Sequence, residues 1–577
     1  MFSLPARLPR ALSRRGPSTL PHSRIPTQIQ IQTQTPKRSV GSAPRLQAYI
    51  SDIRQTNNHN HLLDGGPGIL PHTQSFGNSN NNSATRTIPI REARAPPPAI
   101  AATPTPALIT PSTNLTGLPA PAEESMVPSV VSSHAQQLQN REEFWRKVPI
   151  WRDVAAEDFL SYSWSTRNMV ETKAQLHQFL QATLPDEVPC DGLNPNATVK
   201  GQTQTREAFM SDVFEGITAA TMAVRMTPYI LSRINWLDPR NDPIARQFLP
   251  LKSRMIPDHP KLALDSLHEE ADSPVKGLVH RYPDKALFLP TSVCPTYCTF
   301  CTRSYAVGAS TPTLSKTPFK PGRRRWDAVF AYIASQPQLH DIVVSGGDAY
   351  YLQPDQLTEI GERLLALPNI RRFRIASKGL AVAPGRVLEG RLGEKKGAGD
   401  GWVDAMVGLA KKARKVGKAM AWHTHFNHPR EVSWVTEMAA QRLFEEGVMV
   451  RNQTVLLRGV NDDVATMGEL IRVLADNKIF PYYVYQCDMV KSVEHLRTPL
   501  QTILDLEAQL RGSIAGFMMP SFVVDLPGGG GKRLACSYES YDRATGVSTY
   551  RAPAVTGRDK ENRVYEYYDP VGEVLKG

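Results

Sequence analysis

From residue 286 onward, short apolar runs alternate with longer amphipathic stretches. Runs at 286–290, 341–345, 372–376, 419–423, 450–456 and 482–486 have the length of strands, and the segments between them are long enough for helices. That alternation predicts βα units on a parallel sheet, and six units predict an open, partial (β/α)6 barrel. Polar motifs recur just past these runs: a cysteine cluster, Gly346-Gly347-Asp348, residues 424–428, and Cys487-Asp488. Barrels of this kind gather their reactive groups at the C-terminal strand ends, so motif placement agrees with the periodicity. Upstream, 141–185 reads as helices, with Phe144, Trp145, Trp151, Phe159, Tyr162 and Trp164 as packing surface. A further helix is expected over 207–223, and a short one over 227–236 leading into turns. The glycine-rich stretch 390–401, with Lys395 and Lys396, reads as a surface insertion, and no internal repeat is visible.

The pattern fails before residue 141. From 27 to about 139 the chain is rich in Gln, Asn, Pro and Ser, as at 78–83 and Pro96-Pro97-Pro98, and is expected to be disordered. The first 50 residues carry Arg7, Arg10, Arg14, Arg15, Arg24, Lys37, Arg38 and Arg45 and no acid, the pattern of a mitochondrial presequence or else a basic arm. The expected divisions are therefore 1–50 presequence, 51–140 linker, 141–280 helical region, 281–500 barrel, and 501–577 C-terminal segment. If the presequence reading fails, a cytoplasmic setting is expected.

Charge adds little. The formal net charge is +12, but residues 1–140 hold 12 Lys and Arg against 5 Asp and Glu, and the remainder hold 55 against 50. A nucleic-acid partner would call for a basic, aromatic-rich appended region, and none is found. No apolar run approaches the roughly 20 residues of a membrane span. Six cysteines in 577 residues, three of them clustered, argue against a secreted disulfide framework.

The clustered cysteines are Cys294, Cys298 and Cys301. Three thiolates at C-x3-C-x2-C spacing can hold three irons of a 4Fe–4S cube. With no fourth cysteine behind them, the last iron keeps an open position for a reacting ligand, whereas electron-transfer clusters close it. This spacing is the signature of radical S-adenosylmethionine (SAM) enzymes. The competing readings are a zinc site short of one ligand, or buried free cysteines. Ser345, Gly346, Gly347 and Asp348 come directly after the second strand; paired glycines let backbone approach a ligand, and the carboxylate can hold an ammonium. A plain turn is the alternative. The run Asp525 to Lys532 contains Gly528, Gly529, Gly530 and Gly531. It fails as a phosphate-binding P-loop, because Leu526 stands where the first glycine is required and Arg533 replaces the hydroxyl. A flexible glycine hinge carrying a lysine suits a Schiff base with a carbonyl cofactor such as pyridoxal phosphate (PLP), although an exposed loop lysine would look the same.

With these motifs in order, the sequence resembles the lysine 2,3-aminomutases, which use radical SAM chemistry and PLP. The matching pieces are 280–284, the cysteine loop, 344–348, 425–429, Asn452-Gln453, 457–462, 485–488, 495–499 and 525–532, and the likeness runs from about residue 145 to about 555. The resemblance implies a partial barrel of the radical-SAM type. It implies Cys294, Cys298 and Cys301 as cluster ligands and Ser345, Gly346, Gly347, Asp348 and Gln453 as SAM contacts. Lys532 becomes the PLP-bearing catalytic lysine, with Arg281 and Tyr282 near the cofactor phosphate. Arg303 becomes the partner of the substrate α-carboxylate, and Asp488 and Asp525 the grip on its distal ammonium. Two carboxylates facing one ammonium suit L-lysine and repel glutamate. The implied reaction cleaves SAM to a 5′-deoxyadenosyl radical, which takes a β-hydrogen so that the amino group migrates to give L-β-lysine.

The sequence also departs from the family. Ser304 and Tyr305 replace an arginine-rich run, Lys285 stands where arginine is usual, and only Cys536 comes after Lys532, so a C-terminal zinc site is not expected. The resemblance further implies an electron donor for the cluster and leaves a homo-oligomer open. Rival readings are an aminomutase on another amino acid or a protein-bound lysine, and a catalytically silent iron–sulfur protein.

Overall fold

Aromatic residues organise the start of the described chain. In the computed structural model, which describes residues 141–190, 203–317, 320–390, 399–555, 560 and 562–572, Trp145 and Phe159 stack with centroids 4.6 Å apart. Phe144, Trp145, Trp151 and Phe159 are all buried. The helices expected over 141–185 are short: turns Phe144–Lys147 and Pro149–Trp151, helices Ala156–Leu160 and Tyr162–Arg167, and one full helix, Lys173–Thr183. The full helix is the one that opens on a capping box, between Thr172 and Gln175. Strands β1 (Glu187–Pro189) and β2 (Thr203–Thr205) pair antiparallel. The next helix, Arg206–Ala219, stops short of the expected residue 223 because Ala220 is extended.

The large sheet holds the site. Its strands are β3 (Leu278–Val279), β4 (Lys285–Phe288), β5 (Asp341–Val344), β6 (Arg372–Ala376), β7 (Ala419–Thr424), β8 (Met449–Val455), β9 (Ile479–Tyr485), β10 (Ser521–Leu526) and β11 (Gly531–Leu534). They lie in the order β11-β10-β9-β8-β7-β6-β5-β4-β3. β4 to β9 are parallel throughout and are the strands read from the sequence. β10 adds a seventh parallel strand against β9, and β3 and β11 are antiparallel edges. The ends do not meet, so the sheet is a curled half-barrel, as expected.

Period-2 alternation divides the two faces. Phe288, Ile342, Val344, Phe373, Ile375, Trp422, Val450 and Val484 are buried under the helices. The other face carries Leu287, Val343, Arg374, Gln453 and Tyr485, each half-buried. Register carries this face across the sheet, Leu287 opposite Val343, Val343 opposite Arg374, and Tyr485 opposite Val523.

A second sheet, β12 (Ser540–Asp542), β13 (Val547–Arg551) and β14 (Val564–Tyr568), is antiparallel. It leans on the loop after β9: Tyr567 donates its hydroxyl to the Cys487 carbonyl at 2.8 Å, and Arg497, paired with Glu494 at 2.6 Å in full burial, donates to the Tyr568 carbonyl.

The divisions expected at 280 and 500 both fall within the large sheet, whose strands run from Leu278 to Leu534. β3 precedes the first division and β10 and β11 lie beyond the second, all in the same sheet. The segments expected as presequence (1–50) and linker (51–140), and most of the expected insertion at 390–401, lie outside the described residues.

Candidate active site

The loop after β4 carries Cys294, Cys298 and Cys301, all free thiols and half-buried. Gly346 and Gly347 are what hold this loop. Gly347 donates its amide to the Thr291 carbonyl at 2.7 Å and Asp348 donates to Val293 at 3.0 Å. A Cβ on Gly347 would stand 2.5 Å from the Val293 oxygen, and one on Gly346 (φ +92°) 2.2 Å from the Thr291 oxygen. The close approach expected of these glycines is therefore made to the cysteine loop. Ser345 begins the turn, donating its amide to Phe288 at 2.8 Å. Asp348 is buried and its two oxygens accept from the amides of Tyr350 (2.7 Å) and Lys378 (2.8 Å). Burial pushes its carboxyl up to about 6.

Burial also raises all three thiols, with Asp348 adding to the effect at Cys294 and Cys298 pushed up to about 12. The thiols sense one another electrostatically. Thiols held this way become good thiolate ligands only against added positive charge. Among the described residues no three His, Cys, Asp or Glu side chains converge as ligands of a single metal ion. The three thiols share one loop, the placement a cube that takes each thiol on its own iron would require.

Lys532 lies on β11, directly opposite Asp525 of β10. The expected flexible hinge is in fact a tight hairpin turn: Gly528, Gly529 and Gly531 have φ of 73°, 82° and 82°, a conformation other residues resist. The lysine is thus held by strand pairing. Its Nζ is 2.7 Å from Asp525 Oδ2 and 5.2 Å from the centre of the Tyr485 ring. Its backbone amide donates to the Tyr282 hydroxyl at 3.0 Å. Burial disfavours the ammonium, but Asp525, Tyr485 and Tyr282 outweigh it and hold the group well above the ordinary lysine value. Tyr485 in turn donates to Gln453 Oε1 at 3.3 Å, so Gln453 joins the surroundings of Lys532.

Arg281 is buried, with Nε 2.8 Å from Asp272 Oδ2. Asp272 also binds Lys560 and lies beside Gly529, where a Cβ would come within 3.2 Å of its carboxylate. Lys285 places its ammonium 3.9 Å from the centre of the Tyr282 ring.

Asp488 lies close enough to Asp525 to sense its charge. Asp488 Oδ2 accepts from the Thr302 hydroxyl at 2.6 Å. The Oδ1 atoms of both residues are buried without a hydrogen-bond partner. Burial, then the Asp525 charge, pushes the Asp488 carboxyl up to about 7. Arg303 has a partner that sequence reasoning missed: its Nε and Nη2 each lie 2.7 Å from an oxygen of buried Glu269. Tyr305 donates to the same carboxylate at 3.1 Å. Glu269 sits in the acidic stretch 265–272, which was the only signal for it.

No protein-family profile matches the chain. The chain is 35 % identical over 390 residues to an L-lysine 2,3-aminomutase of Clostridium subterminale, covering 67 % of this chain and 80 % of the relative. The chain belongs to the lysine 2,3-aminomutase family. A Bacillus subtilis (strain 168) L-lysine 2,3-aminomutase is 32 % identical, at 67 % and 71 % coverage. A glutamate 2,3-aminomutase of Clostridioides difficile (strain 630) is 31 % identical over 314 residues, at 53 % and 66 %. Among solved structures, SuiB of Streptococcus suis bound to S-adenosylmethionine superposes with a TM-score of 0.29 at 13 % identity, over 42 % and 50 % of the two chains, too weakly to bear on the site. Membership makes this chain an aminomutase, an isomerase. In this aminomutase two of the departures noted in the sequence have defined surroundings: Tyr305 is bound to Glu269, and Lys285 faces Tyr282. These relatives are bacterial and lend the expected mitochondrial location no support. Among the described residues no helix is long and apolar enough to cross a membrane.

Proposed function

We propose that the enzyme interconverts L-lysine and L-β-lysine. The observation carrying this reading is the pair Asp488 and Asp525, whose two buried, unpartnered Oδ1 atoms call for a cation. A distal ammonium answers that demand; the side chain of glutamate would add a third negative charge.

Cys294, Cys298 and Cys301 would hold a 4Fe–4S cluster. Ser345, Gly346, Gly347, Asp348 and Gln453 would contact SAM. Lys532 would carry PLP, with Arg281, Tyr282 and Lys285 around it. Bound there, these groups supply a carbon-centred radical and a ring that delocalises an unpaired electron. The chain's own residues supply position. Arg303 keeps Nη1 for the substrate α-carboxylate while Glu269 holds its Nε and Nη2 edge. Thr302 orients Asp488 through its hydroxyl, and the β10–β11 register sets Lys532 against Asp525. Distance between the two substrate grips then selects chain length, and the half-barrel limits water.

A low-potential electron donor is part of this reading, and a homo-oligomer is compatible with it. An organellar address for residues 1–50 is a separate proposal, tested by fusing them to a fluorescent protein. The deciding experiment is an anaerobic assay of reconstituted protein with L-lysine, SAM, PLP and reductant, run in parallel with L-glutamate. β-Lysine is the expected product; equal turnover of glutamate would overturn the substrate assignment.

A further inference from the structure

Lys316 is a buried cation in a place that requires an explanation. It lies only 7 % exposed, in the segment between the cysteine loop and helix Arg323–Ala334. Its ammonium donates to the Val307 carbonyl at 2.8 Å and approaches Met222 Sδ at 3.5 Å. Met222, Val307 and Tyr297 form one small apolar cluster, and Cys294 and Cys301 pack directly against it. The ammonium therefore stands one side chain behind the cysteines. Its backbone amide, bound to Ser310 Oγ at 3.0 Å, fixes it there.

Among the described residues no carboxylate pairs with Lys316, although buried ammonium groups ordinarily demand one. Burial brings its own value down to about 8, and the titratable neighbour that counters this is Cys301. An apolar cavity would select Met or Leu at such a position. A cation makes sense there if the cysteine side of the cluster of residues carries a negative charge.

We propose that Lys316 is the counter-cation of the iron–sulfur cluster and makes its reduction easier. The proposal rests on the cluster reading above. Three thiolates give the cube a net negative charge, and the reduced state carries one electron more. A fixed positive charge behind Cys301 stabilises the reduced state more than the oxidised one, because Coulomb attraction grows with the charge and is poorly screened in the interior. Net charge and burial are among the levers that set cluster potentials. The ammonium is bonded to the Val307 carbonyl behind the cysteine loop, so its role is that of a tuning residue acting through the cluster.

The test is a redox titration of the reconstituted holoenzyme, monitored by electron paramagnetic resonance, with iron content measured alongside. Lys316→Gln keeps a donor for the Val307 carbonyl and removes the charge. Reduction at a fixed potential should become about tenfold less favourable, a fall of about 59 mV for one electron. Neutralising the exposed Lys173 should leave the midpoint where it is. A normal iron content with an unmoved midpoint in Lys316→Gln would overturn this inference alone; wild-type protein that takes up no iron would overturn the cluster reading with it. If Lys316→Gln takes up no iron, the melting of iron-free chains decides. A lone buried cation destabilises the iron-free chain, so its removal should leave melting unchanged or raise it. Lowered melting would mean a structural strap and would sink the proposal.

Discussion

Lys532 and Asp525 face each other across the β10–β11 hairpin, ammonium to carboxylate at 2.7 Å. The contact joins two roles, since the residue proposed to carry the cofactor is paired with one proposed to grip the substrate. It also sets the protonation of the lysine, whose ammonium Asp525 stabilises.

Capture of PLP needs the neutral amine, and its population rises tenfold for each unit by which the lysine value falls. Asp525→Asn removes the anion and lowers that value. The visible absorbance of bound PLP should therefore grow faster in the variant at fixed pH, with its pH dependence moved down by about one unit or more. Borohydride should fix the adduct on Lys532, and Lys532→Ala should show no such band. An adduct mapped to another lysine would remove Lys532 from the role.

The cluster ligands can be separated from the other cysteines. Cys298→Ala should lose iron and SAM cleavage while PLP absorbance persists. Cys536 is exposed and lies on a different segment, so Cys536→Ala should keep its iron. Equal loss of iron from both variants would refute the ligand set.

Gly347→Ala probes the clamp on the cysteine loop. The new methyl would meet backbone at 2.5–2.6 Å on Val293, where no flexible side chain can yield. A shift of the loop should cost about 1–3 kcal/mol. Melting should fall and reconstituted iron should fall with it. Unchanged iron in a stable variant would show that the turn does not position the loop.

Six parallel strands were legible because apolar runs and helical stretches alternate cleanly between 286 and 486. β10 was hidden by its C-terminal neighbours: Pro527 and four glycines read as loop chemistry, and Lys532-Arg533 leave β11 with no alternation to detect. The same glycines suggested a hinge because their freedom can serve mobility or a tight turn, and pairing with β10 decides for the turn. Motif residues Cys294, Cys298, Cys301, Lys532, Asp488 and Asp525 were singled out from spacing and resemblance. Glu269 and Thr302 were not, and Tyr485 was matched without a role, since each acts through a contact that no local pattern records. Arg303 and Glu269 are 34 positions apart, and only the fold brings them together.

That pair yields a prediction that separates binding from positioning. Arg303→Gln should raise KM about 10- to 100-fold for any α-amino acid, equivalent to a charge-assisted hydrogen bond of about 1.5–3 kcal/mol. Glu269→Gln leaves the guanidinium in place without its bidentate anchor. It should lower stability by about 3 kcal/mol, the low end for a broken buried pair because Arg303 is partly exposed. Its KM should rise for lysine and ornithine alike. An effect on melting with no change in KM would mean that Glu269 serves the fold alone.

The last prediction concerns pH and substrate choice. Burial and the Asp525 charge hold Asp488 up at about 7, so near neutrality the residue divides between its acid and its anion. A bound ammonium favours the anion. Lysine binding should therefore strengthen as pH rises through about 7 and level off above it, and should weaken as pH falls below. Asp488→Asn retains the shape and the bond to Thr302 but cannot ionise. It should weaken lysine binding about 10- to 100-fold at pH 8, where the wild-type carboxylate is charged, and should flatten the profile. Arg303→Gln should weaken binding at every pH without flattening it. Binding isotherms for lysine, ornithine and glutamate between pH 6 and pH 9 would distinguish the two variants. An unchanged slope in Asp488→Asn would mean that another group titrates, and a gain in glutamate affinity in that variant is expected if the two carboxylates are what exclude it.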